Sequence, residues 1–508
     1  MPQIERILIA NRGDGARRIA ATVKEMGKTP VMLYAPDDKD GLHVKEASEA
    51  HETPSYRDIK GILGVAKRAE VDAIHPGWGF VSEDPNFPKA CRRAGVLFIG
   101  PTEGSMRQIG NKENAKRIAR KQGVPIIESS SRVKKSNIVE WAEENGLRND
   151  EYSSPVMLKT AKSGGGSGNR IVYRMSDLEE EVEELSKSSS RLWGRSRVFA
   201  EKLVRDPRHI EVQVFGDEKG NYRHYGTRDC SIQYGNQKLI EEAPAPFLSR
   251  EQRDLIHEYA LAIARAVDYT SAGTAEFLMD QNGEFLFMEW NPRLQVEHGV
   301  TEMITNMDLV KLQILAAEGK RLPAQRSIGF RGSAIEARID AMTVNKYEPE
   351  KLVATGGAIE KIVFPKGENI RVDHALEEGT DINLVYNRTQ AKVLAWSEDR
   401  DDAIKSLDMA LDDFRIDGVE TTIPLLQAVL SNKRFIEGTH TTTFFNEMLK
   451  EMAQRRKLEK EMAAAIGASV AFALQNNQDN TYTEARQNSF DPWRLAGRLN
   501  QMRGFSSK

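Results

Sequence analysis

The chain has 508 residues, a formal net charge of −3 and two cysteines, Cys91 and Cys230. At about 150 residues per domain, that length implies about three domains with clefts between them. The near-balanced charge excludes a global pull toward nucleic acid or anionic membrane, and cysteines so far apart exclude a thiol metal or redox motif, so a reduced, cytoplasmic setting is expected.

The first residues, MPQIERILIANRG, run directly into a strand without the apolar segment of a signal peptide, and are expected to be the mature start. Strand–helix units follow: a strand at 6–10, a turn at Asn11-Arg12-Gly13, a helix over 16–26 and a strand over 30–34. Such alternation belongs to a parallel sheet covered by helices. Gly13-Asp14-Gly15 with Asp37 downstream is a weak dinucleotide fingerprint, because Arg17-Arg18 stand where a third glycine belongs. Strands over 72–75 and 96–100 flank the loop Pro76-Gly77-Trp78-Gly79-Phe80 and a helix near 87–94.

From about Ile109 the composition shifts to a basic helix over 112–122. Strands over 155–160 and 169–173 are joined by Gly164-Gly165-Gly166-Ser167-Gly168. No GK[ST] and no helix follow, so this is not a P-loop; it reads as a flap whose backbone N–H groups close over phosphates, or as a plain surface hairpin. Charge runs at 140–144 and 179–184 read as solvated helix faces.

Strands over 274–280 and 284–290 flank Asn282-Gly283, a type I′ turn signal. Counting outward pairs Glu276 with Glu289. Beyond them, Asn291, Arg293, Gln295 and Glu297 continue at every second position, and on an extended chain these side chains share a face. Opposed carboxylates cost a few tenths to about 1 kcal/mol. A divalent cation held by Glu276, Glu289 and the amide oxygen of Asn291 removes that cost, and hard oxygen donors suit Mg²⁺ or Mn²⁺ shared with a phosphate-bearing substrate. The bland alternative is two glutamates avoiding each other on a solvated face.

A strand over 333–340 carries Glu336 and Arg338, turns surround Gly356-Gly357 and Gly367, and a helix spans 401–414. A long helix over 447–475 precedes a polar linker, 476–489, and a short helix capped by Asp491-Pro492 with Trp493, Leu495, Leu499 and Met502 along it. The apolar run 462–474 is too short for a bilayer at about 20 residues, so no membrane span is expected.

Several segments together carry a resemblance: Ile-Ala-Asn-Arg-Gly (9–13), His-Pro-Gly-Trp-Gly-Phe-Val-Ser-Glu (75–83), Phe-Ile-Gly-Pro (98–101) and Glu-Lys-Leu-Val-Arg-Asp-Pro-Arg-His-Ile-Glu-Val-Gln (201–213). Arg-Asp-Cys-Ser-Ile-Gln (228–233), Glu-Glu-Ala-Pro-Ala-Pro (241–246) and Asn-Pro-Arg-Leu-Gln-Val-Glu-His (291–298) follow in the same order. The chain resembles biotin carboxylase over about residues 4–447.

That resemblance implies a multidomain α/β and α+β fold: a Rossmann-like domain (1–111), an ATP-grasp domain (112–329), a mixed α/β C-terminal carboxylase domain (330–447) and a helical tail (448–508). It implies an ATP-dependent ligase that makes carboxyphosphate from ATP and bicarbonate and carboxylates biotin on a separate carrier. By the same carry-over Lys112, Lys159, Gly165 and Gly166 hold ATP phosphates. Glu201 with the backbone of Lys202 and Leu203 holds the adenine, His209 and Gln233 the ribose, with Asn236 near the nucleotide. Glu276, Glu289 and Asn291 hold Mg²⁺ or Mn²⁺. Lys238, Arg293, Gln295 and the Val296 backbone bind bicarbonate, Glu297 is its base, Arg338 stabilises the biotin enolate, and Trp78 lies near biotin. The chemistry suits these residue types: phosphoryl transfer needs positioning and charge neutralisation, and a guanidinium fork matches a planar oxyanion.

The pattern departs from the family at Tyr234-Gly235-Asn236-Gln237-Lys238, where Asn236 replaces a histidine, at Ser167-Gly168-Asn169, where an arginine is lost from the flap, at Tyr386-Asn387 and at Gly299. Catalysis is expected, the alternative being a nucleotide-binding regulatory or assembly paralogue. No Met-Lys-Met segment and no transferase region are found, so the chain is expected to work beside a biotin carboxyl carrier protein and a carboxyltransferase subunit of an acyl-CoA or 2-oxoacid carboxylase, as a homodimer. The faces 462–474 and 493–502 dock on a partner or fold back on this chain.

Overall fold

The computed structural model describes residues 3–130, 138–160, 169–193, 198–382, 386 and 388–478. They divide into two units, one up to Leu449 and one from Lys450 onward. The first strands are β1 (Arg6–Ile9), β2 (Thr29–Tyr34), β3 (Ala50–Glu52), β4 (Ala73–His75) and β5 (Leu97–Phe98). They pair in parallel in the order β3-β2-β1-β4-β5. Helices cover both faces of such a sheet, so its central strands β1 and β2 are largely apolar, while β3 at the edge reads Ala-His-Glu. Ile7 and Ile9 point into one buried cluster with Ile19 and Val23 of the helix Gly13–Glu25, and Leu8 points into the other with Val31, Leu33 and Ile74. The glycine pair near that helix answers to packing: a Cβ on Gly15 would lie 2.9 Å from the Trp78 ring.

Next come β6 (Val156–Thr160), β7 (Arg170–Val172) and β8 (Val198–Lys202), an antiparallel sheet in the order β7-β6-β8. Val156, Leu158 and Ala200 pack against Leu178 and Leu185 of the helix Leu178–Trp193. The glycine flap between β6 and β7, with Gly165 and Gly166, lies outside the described residues, as do Ser167 and Asn387.

The sheet that positions the site is built from β9 (Arg208–Gly216), β10 (Tyr222–Tyr234), β11 (Gln237–Ala243), β12 (Ser271–Met279), β13 (Phe285–Asn291) and β14 (Ser333–Asp340). The later strands are β15 (Met342–Val344), β16 (Leu352–Ala354), β17 (Lys361–Val363), β18 (Ile370–His374), β19 (Thr389–Ser397) and β20 (Arg415–Asp417). Among the described residues eight strands join in the order β13-β12-β9-β10-β11-β14-β19-β18, with β15-β16 and β17-β20 as small separate pairs. One face packs on the helix Arg250–Ala266 through Ile210, Val212, Val214, Ala275 and Phe277. The alternate residues face the other way.

The β12–β13 hairpin pairs Glu276 with Glu289, as counting from the sequence predicts, but by a different route. Only Gly283 of the turn pair has a positive φ, at 82°, so the turn is not type I′, which needs two such residues. The Asp280 N–H reaches the Glu284 carbonyl and the Gly283 N–H the Asp280 carbonyl, closing a loop one residue longer. That shifts the register by one, and an irregularity between Glu276 and Phe277 shifts it back. The chain also stops being a strand at Asn291. Residues 293–297 form an irregular turn before the helix His298–Thr305, so their alternation is not a strand face.

The last helix, Phe444–Gln478, is longer than the predicted 447–475 and leaves Leu458, Met462 and Ile466 exposed. The segment 491–502 lies outside the described residues. Among the described residues no helix is long and apolar enough to cross a membrane.

Candidate active site

Alternation on adjacent strands lays a polar row across the large sheet. Asn291 and Glu289 on β13 stand opposite Thr274 and Glu276 on β12, which stand opposite Gln213 and Glu211 on β9. Arg228 on β10 follows, opposite Glu211. Further along, Glu241 on β11 pairs with Glu336 on β14, two residues before Arg338. Glu211, Arg228 and Glu241 are completely buried. A buried charge is tolerated only when paired and hydrogen-bonded, as Glu211, Arg228 and Glu241 are, whereas among the described residues neither oxygen of the equally buried Glu336 is hydrogen-bonded and burial pushes its carboxyl up to about 8.

Lys238 is the hub. Its Nζ donates to Glu211, to Glu297 at 2.6 Å and to Glu276 at 3.3 Å. Glu276 also accepts from Asn291 Nδ2 at 2.6 Å, Gln295 Nε2 at 2.7 Å and the His209 ring at 3.2 Å. Gln233 Nε2 meets His209 Nδ1 at 2.7 Å. Arg338 donates to Glu297 at 2.9 Å and to Glu241, while Arg228 reaches Gln295 at 2.8 Å and Glu211 at 3.1 Å. The loop 293–297 thus delivers Gln295 and Glu297 to the point where β9, β11 and β12 deliver Glu211, Lys238 and Glu276.

The cluster separates its carboxylates into two states. Burial pushes all of them up, and for Glu211 burial prevails, with Glu297 and Glu276 close by adding to it. For Glu297 burial is outweighed by Lys238, Arg338 and Arg228, which hold it well below the usual range and therefore ionised. Glu276 is likewise held low, by Lys238 and His209 against burial. The Lys238 ammonium is disfavoured by burial, yet Glu211, Glu276 and Glu297 raise its pKa well above the ordinary value.

A second group lies on the smaller sheet and the helix Lys112–Lys121, whose N-cap Asn111 accepts from the Asn114 N–H. Lys112 pairs with Glu289 at 2.6 Å. One turn later, Lys116 pairs with Glu201, which also holds Lys159 at 2.8 Å. Burial, with Lys159 and Lys112 nearby, lowers Lys116 to about 8 despite Glu201. Glu201 is therefore a counter-ion for two lysines in this structure. The Lys202 N–H is engaged by the Glu128 carbonyl, and Leu203 follows at the end of β8.

Three expected residues stand apart from the Lys238 cluster. The Arg293 guanidinium pairs with Glu83 and reaches Asn291 Oδ1 at 3.4 Å. Trp78 lies beside His298, its ring 5.2 Å from the Lys392 ammonium. Asn236 and Gly235, with φ of 64° and 58°, form the tight turn between β10 and β11, a conformation asparagine and glycine adopt readily. Conversely, Lys116, Glu211, Arg228, Glu241 and Lys392 belong to the site or its support and were not picked out from the sequence. Signals existed: Lys116 is one helical turn from Lys112, and His209, Glu211 and Gln213 alternate on β9.

Glu276, Glu289 and Asn291 fit a hard divalent ion. The two carboxylates face each other across β12 and β13, each now neutralised by basic groups that a dication can replace; the Asn291 amide donates its Nδ2 to Glu276 and turns its Oδ1 toward Arg293, so a rotation of the amide would bring its oxygen to an ion. His209, Glu211 and Glu276 also bring ligand atoms within 4.8 Å of one another, and Lys238 bridges two of them.

Such an arrangement, a small antiparallel sheet and a helix bringing Lys159, Lys112 and Lys116 beside a large sheet that carries Glu276 and Glu289, is that of an ATP-dependent ligase of the ATP-grasp type. Residues 3–106 match the family model for the biotin carboxylase N-terminal domain, 111–325 that for the carbamoyl-phosphate synthase L chain ATP-binding domain and 336–447 that for the biotin carboxylase C-terminal domain. The chain is 39% identical to biotin carboxylase 1 of Bacillus subtilis over 449 residues, covering 87% of this chain and 98% of that one. It is 37% identical over 504 residues to the methylcrotonoyl-CoA carboxylase subunit alpha of Dictyostelium discoideum, covering 97% of this chain and 70% of the relative. The biotin carboxylase–β,γ-ATP complex of Campylobacter jejuni superposes with a TM-score of 0.82 at 38% identity, covering 88% and 99% of the two chains. The biotin carboxylase domain dimer of Hydrogenobacter thermophilus 2-oxoglutarate carboxylase, with MgADP and bicarbonate, gives 0.83 at 37%, covering 88% and 98%. The chain belongs to the biotin carboxylase family.

Proposed function

We propose that this chain carboxylates biotin carried on a separate protein, using ATP, Mg²⁺ or Mn²⁺, and bicarbonate. The observation that carries the reading is the convergence of Lys238, Gln295, Glu297 and Arg338 beside Glu276, which gathers donors suited to a small oxyanion next to the ionised carboxylate of Glu297. Lys112, Lys116 and Lys159, with Gly165 and Gly166 of the flap, take the ATP phosphates. The segment Glu201–Leu203 faces the adenine, and His209 and Gln233 face the ribose. Glu276, Glu289 and Asn291 hold the metal, which neutralises charge on the transferring phosphoryl group.

Bicarbonate is bound by Lys238, Arg293, Gln295 and the Val296 backbone. Arg293 reaches it by leaving Glu83, an exposed partner that holds it weakly. A bicarbonate oxygen forms the new bond to the γ-phosphorus, ADP leaves, and Glu297 accepts the bicarbonate proton. In the ligand-free arrangement Lys238 and Arg338 keep the proton affinity of Glu297 low. An anion that draws these donors to itself raises that affinity when a base is needed. Arg338 then faces the negative charge that develops on the biotin ureido oxygen, with Trp78 close by.

The division 1–111, 112–329, 330–447 and 448–508 matches these roles. Relatives are named as subunits of multi-subunit carboxylases, and one structure is a dimer. We expect a homodimer served by a biotin carboxyl carrier protein and a carboxyltransferase subunit, with Leu458, Met462 and Ile466 as the docking stripe. The test is ATP hydrolysis by the purified chain with Mg²⁺: it should depend on bicarbonate and rise with free biotin. Hydrolysis indifferent to bicarbonate would contradict the reading.

A further inference from the structure

Behind the turn that carries Gln295, Val296 and Glu297 lies an ammonium that the scheme above does not use. Lys392 on β19 is 0% exposed and stands directly across from Arg338 on β14 and Asp373 on β18. Its Nζ donates to the Val296 carbonyl oxygen at 3.0 Å, with Asp373 at 3.4 Å and Asp14 at 3.7 Å. Trp78 covers it from the loop after β4, 5.2 Å from ammonium to ring centroid. Arg371 holds both oxygens of Asp373, at 2.8 and 2.7 Å, so the anion opposite Lys392 is itself fixed.

A completely buried lysine is costly unless its partners are arranged for it, and here they come from the helix Gly13–Glu25 and from β18 as well as from the turn itself. The turn is pinned at two consecutive carbonyls: that of Gln295 lies 2.8 Å from the His298 ring nitrogen, and that of Val296 takes the charge-assisted bond from Lys392. The second bond fixes the plane of the peptide joining Val296 to Glu297. It therefore sets where the Glu297 carboxylate starts and how the Val296 backbone is presented. We infer that Lys392 is a positioning residue for bicarbonate, holding the Val296–Glu297 peptide from the side opposite the substrate. This rests on the assignment of bicarbonate to Lys238, Arg293, Gln295 and Val296 made above.

The test uses the full-length enzyme and its Lys392→Met and Lys392→Gln variants, with bicarbonate-dependent ATP hydrolysis in the presence of free biotin as the assay. A displaced turn should raise KM for bicarbonate about tenfold or more, since a misplacement of about 1 Å can cost about 100-fold. KM for MgATP should stay within about twofold, because among the described residues none assigned to ATP touches Lys392. The rise in Tm on adding MgATP shows that each variant is folded, and Lys392→Gln serves where Lys392→Met does not fold. An unchanged bicarbonate KM, or equal shifts in both KM values, would overturn the inference. Failure of the underlying assignment would show instead in the unsubstituted enzyme, as hydrolysis with no saturable dependence on bicarbonate.

Discussion

In the parallel sheet β1–β5 the buried positions are apolar apart from His75, whereas one face of the eight-stranded sheet, with the turn after β13, buries Glu211, Arg228, Glu276 and Glu297 beneath Lys238 and Arg338. Both solve the same problem of removing side chains from water. The apolar faces do so by area, at about 25 cal/mol per Å², and any well-fitting hydrophobe serves. The charged face must offset desolvation with specific partners, and arrays of this kind often contribute little net stability. Their retention in this chain is explained by the reaction.

That contrast can be broken by substitution. Glu297→Gln keeps shape and removes the proposed base, and we expect biotin carboxylation to fall by about 100-fold or more with little change in Tm, since Lys238 keeps Glu211 and Glu276 and Arg338 keeps Glu241, as measured by steady-state kinetics and thermal melting. Leu33→Ala should do the reverse, costing about 2–5 kcal/mol in denaturant unfolding while kcat/KM per folded molecule is retained. If Glu297→Gln unfolded the protein and Leu33→Ala did not, the contrast would be wrong.

A pH titration sharpens the charged side. Lys116, lowered to about 8, is cationic below that pH and loses its charge above it. Losing a positive charge weakens phosphate binding, so KM for ATP should climb as pH rises through about 8, and Lys116→Arg, always charged, should flatten the climb. The smallest effect belongs to the tail: Met462→Ser, at a position 56% exposed, should change stability by less than about 0.5 kcal/mol and leave biotin carboxylation unchanged. Its readout is association with a carboxyltransferase subunit, which should weaken.

The parallel sheet was legible because burial on both faces writes itself as apolar runs such as Arg6–Ile9 and Thr29–Tyr34. The opposition of Glu276 and Glu289 was legible too, although the turn was misread; the longer loop and the irregularity after Glu276 cancel, and neither leaves a mark in residue type. Alternation brought out Gln295 and Glu297 without being the cause of their convergence, since the chain leaves the sheet at Asn291. Arg293 was placed with them and instead faces Glu83, a partner 210 positions away. Lys392 escaped because an isolated charge in an otherwise apolar stretch acquires meaning only from neighbours, here on β18 and the turn after β13, and Glu211 and Arg228 escaped because their partners lie on β11, β12 and that turn.

In the reaction proposed above, bicarbonate at Lys238 and Glu297 is the acceptor of the γ-phosphoryl group. Turnover of ATP with ¹⁸O-labelled bicarbonate and free biotin tests it most directly, with the released phosphate read by mass spectrometry. A bond from a bicarbonate oxygen to the γ-phosphorus predicts labelled oxygen in that phosphate, lost together with turnover in Glu297→Gln. Phosphate released without label would show that water attacks instead, and would contradict that reaction.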